Sequence, residues 1–221
     1  MEKYKGFYCR FIKRAIDVVV SGLVLLCFWW VYLIIAVIVK IFLGSPVIFS
    51  QERPGKIDPK TGKAKIFKLY KFRSMTNKTD ENGKLLPDAM RLTSFGKLLR
   101  ATSLDEIPEM WNILKGDMSL VGPRPWLVRY LNYYTEYEMQ RQYVRPGLTG
   151  LAQVNGRNAA GWEERFKYDV EYVHNVSLGL DIKIIFKTVK NVFAHKNIEF
   201  EKGHQTLREY FDEKNSKSQE E

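Results

Sequence analysis

Cysteine and histidine are scarce: the 221-residue chain has two of the first and three of the second. Cys9 and Cys27 lie in or beside an apolar run and show neither metal-ligand spacing nor a disulfide framework, so a reducing compartment is the default. His174, His195 and His204 are scattered, which leaves no His/Cys cluster for zinc. Acidic side chains are in deficit, 25 Asp+Glu against 35 Lys+Arg, for a formal charge of +10. That sign points to anionic partners: nucleic acid, an acidic membrane surface or phosphorylated metabolites. There is no G-x-x-x-x-G-K, no G-x-G-x-x-G and no kinase loop, so a phosphate donor is not held in those ways. No internal repeat is present.

What the chain does have is one long uncharged run, Val18 to Val39, VVVSGLVLLCFWWVYLIIAVIV. A straight helix of that length reaches about 33 Å, enough for a bilayer core. The run is too long for a signal peptide and no small-residue cleavage site follows it. Lys3, Lys5, Arg10, Lys13 and Arg14 precede it, and Lys40, Arg53 and Lys56 follow. Positive charge on both flanks suits two ends on the cytoplasmic side. Trp29 and Trp30 sit near the middle, whereas a spanning helix keeps Trp at headgroup level. Both observations favour a bent, re-entrant hairpin over a span. No proline lies inside the run to force a kink, and Ser21-Gly22 is one point where it could bend.

The remainder divides into short elements. Residues 1 to 14 read as a basic, aromatic-dotted lead at the interface. PVIFSQ reads as a strand closed by a turn at Arg53-Pro54-Gly55, and IFKLYKFRSM as a strand with one basic face after a polar loop. SFGKLLRA is predicted as a helix. A second follows, in which Ile107, Met110, Trp111 and Leu114 share a buried face. WLVRYLNYYTEYEMQRQ is predicted as one further helix. Ile182, Ile185, Phe186, Val189, Val192 and Phe193 form a late apolar stripe beside Lys183, Lys187 and Lys190. That pattern suits either packing on the core or lying in a membrane surface. The tail EKNSKSQEE is expected to be disordered. The expected division is 1–43 for the lead and membrane helix, 44–200 for the globular part and 201–221 for the tail.

The stretch TSLDEIPEMWNILKGDMSLVGPRP sets Asp105 beside Glu106. Ser103-x-x-Glu106 matches a capping box, and Asp105 could be an N-cap with Pro108 in the first turn, so capping accounts for the pair taken alone. On the helical phase Asp105 points away from the apolar face, free to meet a ligand. Four arginines lie in Pro- or Gly-bounded contexts: Arg53 in ERPG, Arg124 in GPRP, Arg145 in VRPG and Arg157 in NGRN. Guanidinium groups so held suit bidentate phosphate binding, and Lys71 and Arg73 add to the same field. A carboxylate pair among such cations fits metal-assisted phosphoryl transfer, in which one acid attacks phosphorus and another holds Mg²⁺.

K-R-x-x-D near a membrane helix, Q-x-R-P-G, Y-K-F-R-S-M, S-L-D-E-x-P, N-I-L-K-G-D-M-S-L-V-G-P-R-P, V-R-P-G-L-T-G and Q-V-N-G-R-N occur in order from Lys13 onward. This series resembles the monotopic phosphoglycosyl transferases, bacterial polyprenol-phosphate sugar phosphotransferases, over nearly the whole chain. The resemblance implies a mostly α fold with a small β element. An N-terminal re-entrant membrane helix would precede a compact cytoplasmic catalytic domain with interfacial amphipathic helices. It implies a UDP-sugar donor, undecaprenyl phosphate as acceptor, membrane phospholipid around the chain, and the bacterial inner membrane as location. Asp105 would be the nucleophile that carries a phosphosugar, and Glu106 the Mg²⁺ partner. Lys71, Arg100, Arg124, Arg145 and Arg157 would surround the phosphates, with Asp169 in support. Many members have a Ser-Pro pair at the kink, where this chain has Phe28-Trp29-Trp30, so the bend needs another cause. A homo-oligomer is allowed. A nucleic-acid partner is not expected, because aromatics and basic residues do not interleave in a stacking motif. The alternative reading is a membrane-anchored basic protein that gathers anionic lipid or polysaccharide without catalysis.

Overall fold

A computed structural model describes residues 3–155, 161–193 and 207–220. It is mostly helical, with two small two-stranded sheets. The chain divides into two compact units, a larger one of residues 1–16, 52–67 and 117–221 and a smaller one of residues 17–51 and 68–116. Each therefore draws on separate stretches of the chain.

In the smaller unit the apolar run forms two helices, α1 (Lys13–Cys27) and α2 (Trp29–Leu43). Among the described residues no single helix is long and apolar enough to cross a membrane, and this pair is bent by 65°. The break falls at Phe28 (φ −113°, ψ 17°) and not at Ser21-Gly22. Ser21 Oγ donates to the Asp17 carbonyl at 2.6 Å, and the helix runs on through it. At Phe28-Trp29-Trp30 three bulky aromatics with modest helix propensity follow one another. The Trp30 indole N–H donates to the Cys27 carbonyl at 3.1 Å, so a side chain replaces a ladder donor there. Ile35, Val39 and Leu43 of α2 are buried with Phe72 and Leu99. Trp29, Trp30, Leu33 and Ile41 face outward, at 50–72% exposure.

The hairpin of β1 (Ile48–Ile57) and β2 (Ala64–Phe72) contains Arg53-Pro54-Gly55 inside its first strand, not in a turn. Both strands of such a sheet are edges, so proline's missing N–H is tolerated there. A single turn, α3 (Asp88–Arg91), interrupts the polar stretch that follows. The helix α4 (Ser94–Ala101) forms as expected, with Thr93 accepting from the Gly96 N–H at 3.1 Å.

The helix α5 (Glu109–Lys115) buries a different face from the one predicted. Glu109, Asn112 and Ile113 are buried, whereas Trp111 is 52% exposed. The reason is Asn112, whose amide accepts from the Tyr70 N–H at 3.0 Å and donates to the Lys68 carbonyl at 2.7 Å. It completes the edge of β2 as a neighbouring strand would, and this outranks the apolar period.

In the larger unit β3 (Ser119–Val121) pairs in parallel with β4 (Gly147–Thr149). The predicted helix between them is broken. It becomes a 3₁₀ segment Val128–Tyr133, the short helix α6 (Glu136–Met139) and a second 3₁₀ segment Gln140–Tyr143. The break has a local cause: Tyr134 is extended (ψ 132°), and Thr135 with Glu138 forms a full capping box. The helices α7 (Leu151–Asn155), α8 (Trp162–Asn175) and α9 (Leu178–Phe193) follow.

The apolar stripe of α9 does not enter the core. Ile184 is fully buried with Val173 and Tyr172, while Ile182, Ile185, Phe186, Val189 and Val192 are 38–71% exposed. Lys13 is not a loose flanking charge either: it is buried, and its Nζ lies 2.6 Å from Asp181 Oδ2, which also accepts from Tyr8. The stretch EKNSKSQEE, expected to be disordered, is helical as far as Glu220, as the second half of α10 (Leu207–Glu220). Leu207 and Phe211, four residues apart on one face, are buried with Tyr130, Trp162 and Phe166, and Lys214 pairs with Glu138 at 2.7 Å.

Candidate active site

The acidic pair lies in the smaller unit, in a 3₁₀ turn Leu104–Glu106. The turn opens on Ser103, whose φ of 56° makes it the one non-glycine residue with positive φ among the described residues. A left-handed serine is strained, and such backbone is kept where surrounding structure dictates it, often at functional sites. Ser103 makes no side-chain cap bond, so the expected capping box is absent, and Pro108 in fact stands at the N-cap of α5. Glu106 turns its carboxylate to Lys71 instead, with Oε1 2.6 Å from Nζ.

Lys71 also reaches Glu109 Oε1 at 3.0 Å, and Glu109 is 2% exposed. The lysine thus bridges two carboxylates from successive turns, an arrangement that offsets part of their desolvation. Asp105 is buried, contrary to the solvent-facing position expected from helical phase. Arg100 donates from Nε to Ser74 Oγ at 2.8 Å, and Arg73, also buried, donates to the Ser45 carbonyl. Arg73 therefore fastens the end of β2 to the chain leaving α2.

Among the described residues no group of three His, Cys, Asp or Glu could by itself hold a metal ion. Magnesium does not require one, since it commonly takes one or two carboxylates and completes its shell with water and substrate phosphate. Glu106 next to Asp105 offers a half-buried carboxylate of that kind, with Oε1 already paired to Lys71.

In the larger unit Arg124 and Arg145 stand on backbone segments that touch. Ser119 N donates to Pro146 O at 2.8 Å, Gly122 N to Thr149 O at 2.8 Å, and Gly147 N to Pro123 O at 3.0 Å. A Cβ on Gly147 would lie 2.0 Å from Gly122 N, and one on Gly122 would lie 2.4 Å from Arg145 O. Only glycine allows this approach. The motifs G-P-R-P and R-P-G-L-T-G are therefore two halves of one backbone junction.

Asp169 stands on α8, in the interior of the larger unit. It is 3% exposed and receives Nε and Nη2 of Arg141 at 3.0 and 2.7 Å. Burial raises the Asp169 carboxyl above its ordinary value, with Arg141 opposing the rise. Arg141 also donates to the Arg124 carbonyl at 2.5 Å, and Arg53 donates to the Pro125 carbonyl at 3.2 Å.

The structure thus groups Asp105, Glu106, Lys71, Arg73 and Arg100 in one unit and Arg124, Arg145 and Asp169 in the other. Arg157 lies outside the described residues. Two residues escaped the sequence reading. Glu109 had a usable signal, as a third acid on the first helical turn after Pro108. Arg141 had none, because in a polar run it looks like any solvated arginine.

The chain belongs to the bacterial sugar transferase family, whose model matches residues 8–195. It is 47% identical over 188 residues to the uncharacterized sugar transferase EpsL of Bacillus subtilis (strain 168), covering 85% of this chain and 90% of that one. It is 41% identical to the UDP-glucose:undecaprenyl-phosphate glucose-1-phosphate transferase of Klebsiella pneumoniae, over 84% of this chain. It is 37% identical to a UDP-N-acetylgalactosamine-undecaprenyl-phosphate N-acetylgalactosaminephosphotransferase of Aeromonas hydrophila, over 83% of this chain. The chain spans 41% and 44% of the length of these last two.

Proposed function

We propose that this chain transfers a phosphosugar from a UDP-sugar to undecaprenyl phosphate, with Asp105 as nucleophile. The observation that carries the reading is the acid pair Asp105-Glu106 on a strained turn beside Lys71, in a chain whose named relatives handle those two substrates. The Asp105 carboxylate attacks the β-phosphorus. The bond from that phosphorus to the bridging oxygen breaks, and UMP leaves with the electron pair. An oxygen of undecaprenyl phosphate then attacks the same phosphorus, the bond to Asp105 breaks, and undecaprenyl-diphosphate-sugar departs with the carboxylate restored.

Glu106 would hold Mg²⁺, which when bound lowers the charge on the phosphate oxygens. Lys71 keeps Glu106 and Glu109 paired, and fixes their carboxylates next to the nucleophile. Arg73 and Arg100 fasten the segments around that turn. Arg124 and Arg145 enter as phosphate-binding residues on the strength of the resemblance, as does Arg157.

The bent pair α1–α2 supports a re-entrant hairpin with both ends on the cytoplasmic face of the inner membrane. The outward apolar face of α9, with exposed Lys183 and Lys190 beside it, supports an interfacial helix.

The test is UMP release from a panel of UDP-sugars with Mg²⁺ and undecaprenyl phosphate. Release should need the lipid acceptor for turnover, stop with EDTA and vanish in Asp105→Asn. Undiminished release by Asp105→Asn would refute the nucleophile. Binding of anionic lipid by a folded chain, with no release from any donor, would favour the anchored binding protein.

A further inference from the structure

The segment Pro123-Arg124-Pro125 has each of its carbonyls held by a different donor: Gly147 N at 3.0 Å, Arg141 Nη2 at 2.5 Å and Arg53 Nη1 at 3.2 Å. Both prolines are buried, and their rings fix φ. The remaining backbone freedom is rotation of the peptide planes, and the carbonyl contacts remove it. Two of the three donors are guanidinium groups, whose charge-assisted bonds are stronger than amide ones.

Arg141 is 2% exposed, and Asp169 and the Tyr134 hydroxyl, at 3.3 Å, share its other contacts. A group so enclosed cannot meet a substrate phosphate. Arg53, read from the sequence as a phosphate ligand, extends from β1 to the same loop.

We propose that Arg53 and Arg141 are positioning residues that clamp the Pro-Arg-Pro loop and so aim Arg124 at the anionic part of the donor. The inference rests on the reading of Arg124 as a phosphate-binding residue. Its consequence is that Arg53 acts through Arg124 and not beside it.

A double-mutant cycle on UMP release tests this, using Arg53 because the buried Arg141 invites misfolding. Arg124→Ala and Arg53→Ala should each lower kcat/KM by about tenfold or more. The double variant should be within about twofold of Arg124→Ala alone, since coupled residues are not additive. Arg53→Lys should recover most of the loss, because one ammonium donor can serve one carbonyl but cannot replace a bidentate phosphate grip. Multiplicative losses, or no rescue by lysine in a folded protein, overturn the clamp and leave the transferase reading intact. Loss in Arg53→Ala with a silent Arg124→Ala overturns both the clamp and the role of Arg124. A wild-type chain that releases no UMP from any donor refutes the transferase reading, and the inference with it.

Discussion

At the residue scale the chemistry turns on a few side chains whose burial was invisible in the sequence. Asp105 follows a left-handed serine and Glu106 is tied to Lys71 at 2.6 Å, so the pair does not form the expected helix cap. Asp105→Asn should lower the rate of UMP release by at least about a thousandfold with little change in Tm, as expected for loss of a nucleophile. Glu109→Gln should weaken the hold on Lys71, and kcat should fall less than for Asp105→Asn. The acid pair was legible because it stands in a named motif. Glu109 was overlooked because an acid after Pro108 looks like ordinary helix-dipole chemistry.

Elements are where the expectations most often failed, at α5 and α6 because a polar contact overrode a periodic pattern. Asn112 takes the place of a strand partner and rotates α5 away from its apolar stripe. Thr135 and Glu138 cap a new helix where one continuous helix was expected. The fate of α10 was hidden for a different reason, since Leu207 and Phe211 gain meaning only as apolar contacts beside Tyr130 and Phe166. Phe211→Ala should destabilise the larger unit by about 3–5 kcal/mol, read as a lowered Tm.

Glu138 adds a pH dependence to that docking. Burial would raise its carboxyl, but hydrogen bonds from Lys214 and Thr135 outweigh it and hold the pKa below the ordinary 4.5. An acid so lowered contributes stability above its unfolded value and loses it as pH falls through the folded one. Tm should therefore drop below about pH 4.5, and Glu138→Gln should flatten that limb of the Tm–pH curve.

At the scale of the whole molecule, charge, the apolar run and the ordered motifs were enough to place the chain in its family. They could not show how the run bends, because the bend comes from Phe28 and a bond from the Trp30 indole, with no proline to announce it. Trp30→Phe removes that bond and should weaken the bend, read as altered accessibility of the exposed Cys27 to a membrane-impermeant thiol reagent. The junction of Gly122 with Gly147 is stricter still. Gly147→Ala should cost more than about 2 kcal/mol, because its new carbon meets backbone and not a side chain that can move aside. Much of the signature by which such a chain is recognised is thus a record of main-chain proximity. If Asp105 is the nucleophile proposed above, a descendant that kept those glycines but lost it would still be classed with its relatives while being inert, so family membership and catalytic competence can part company.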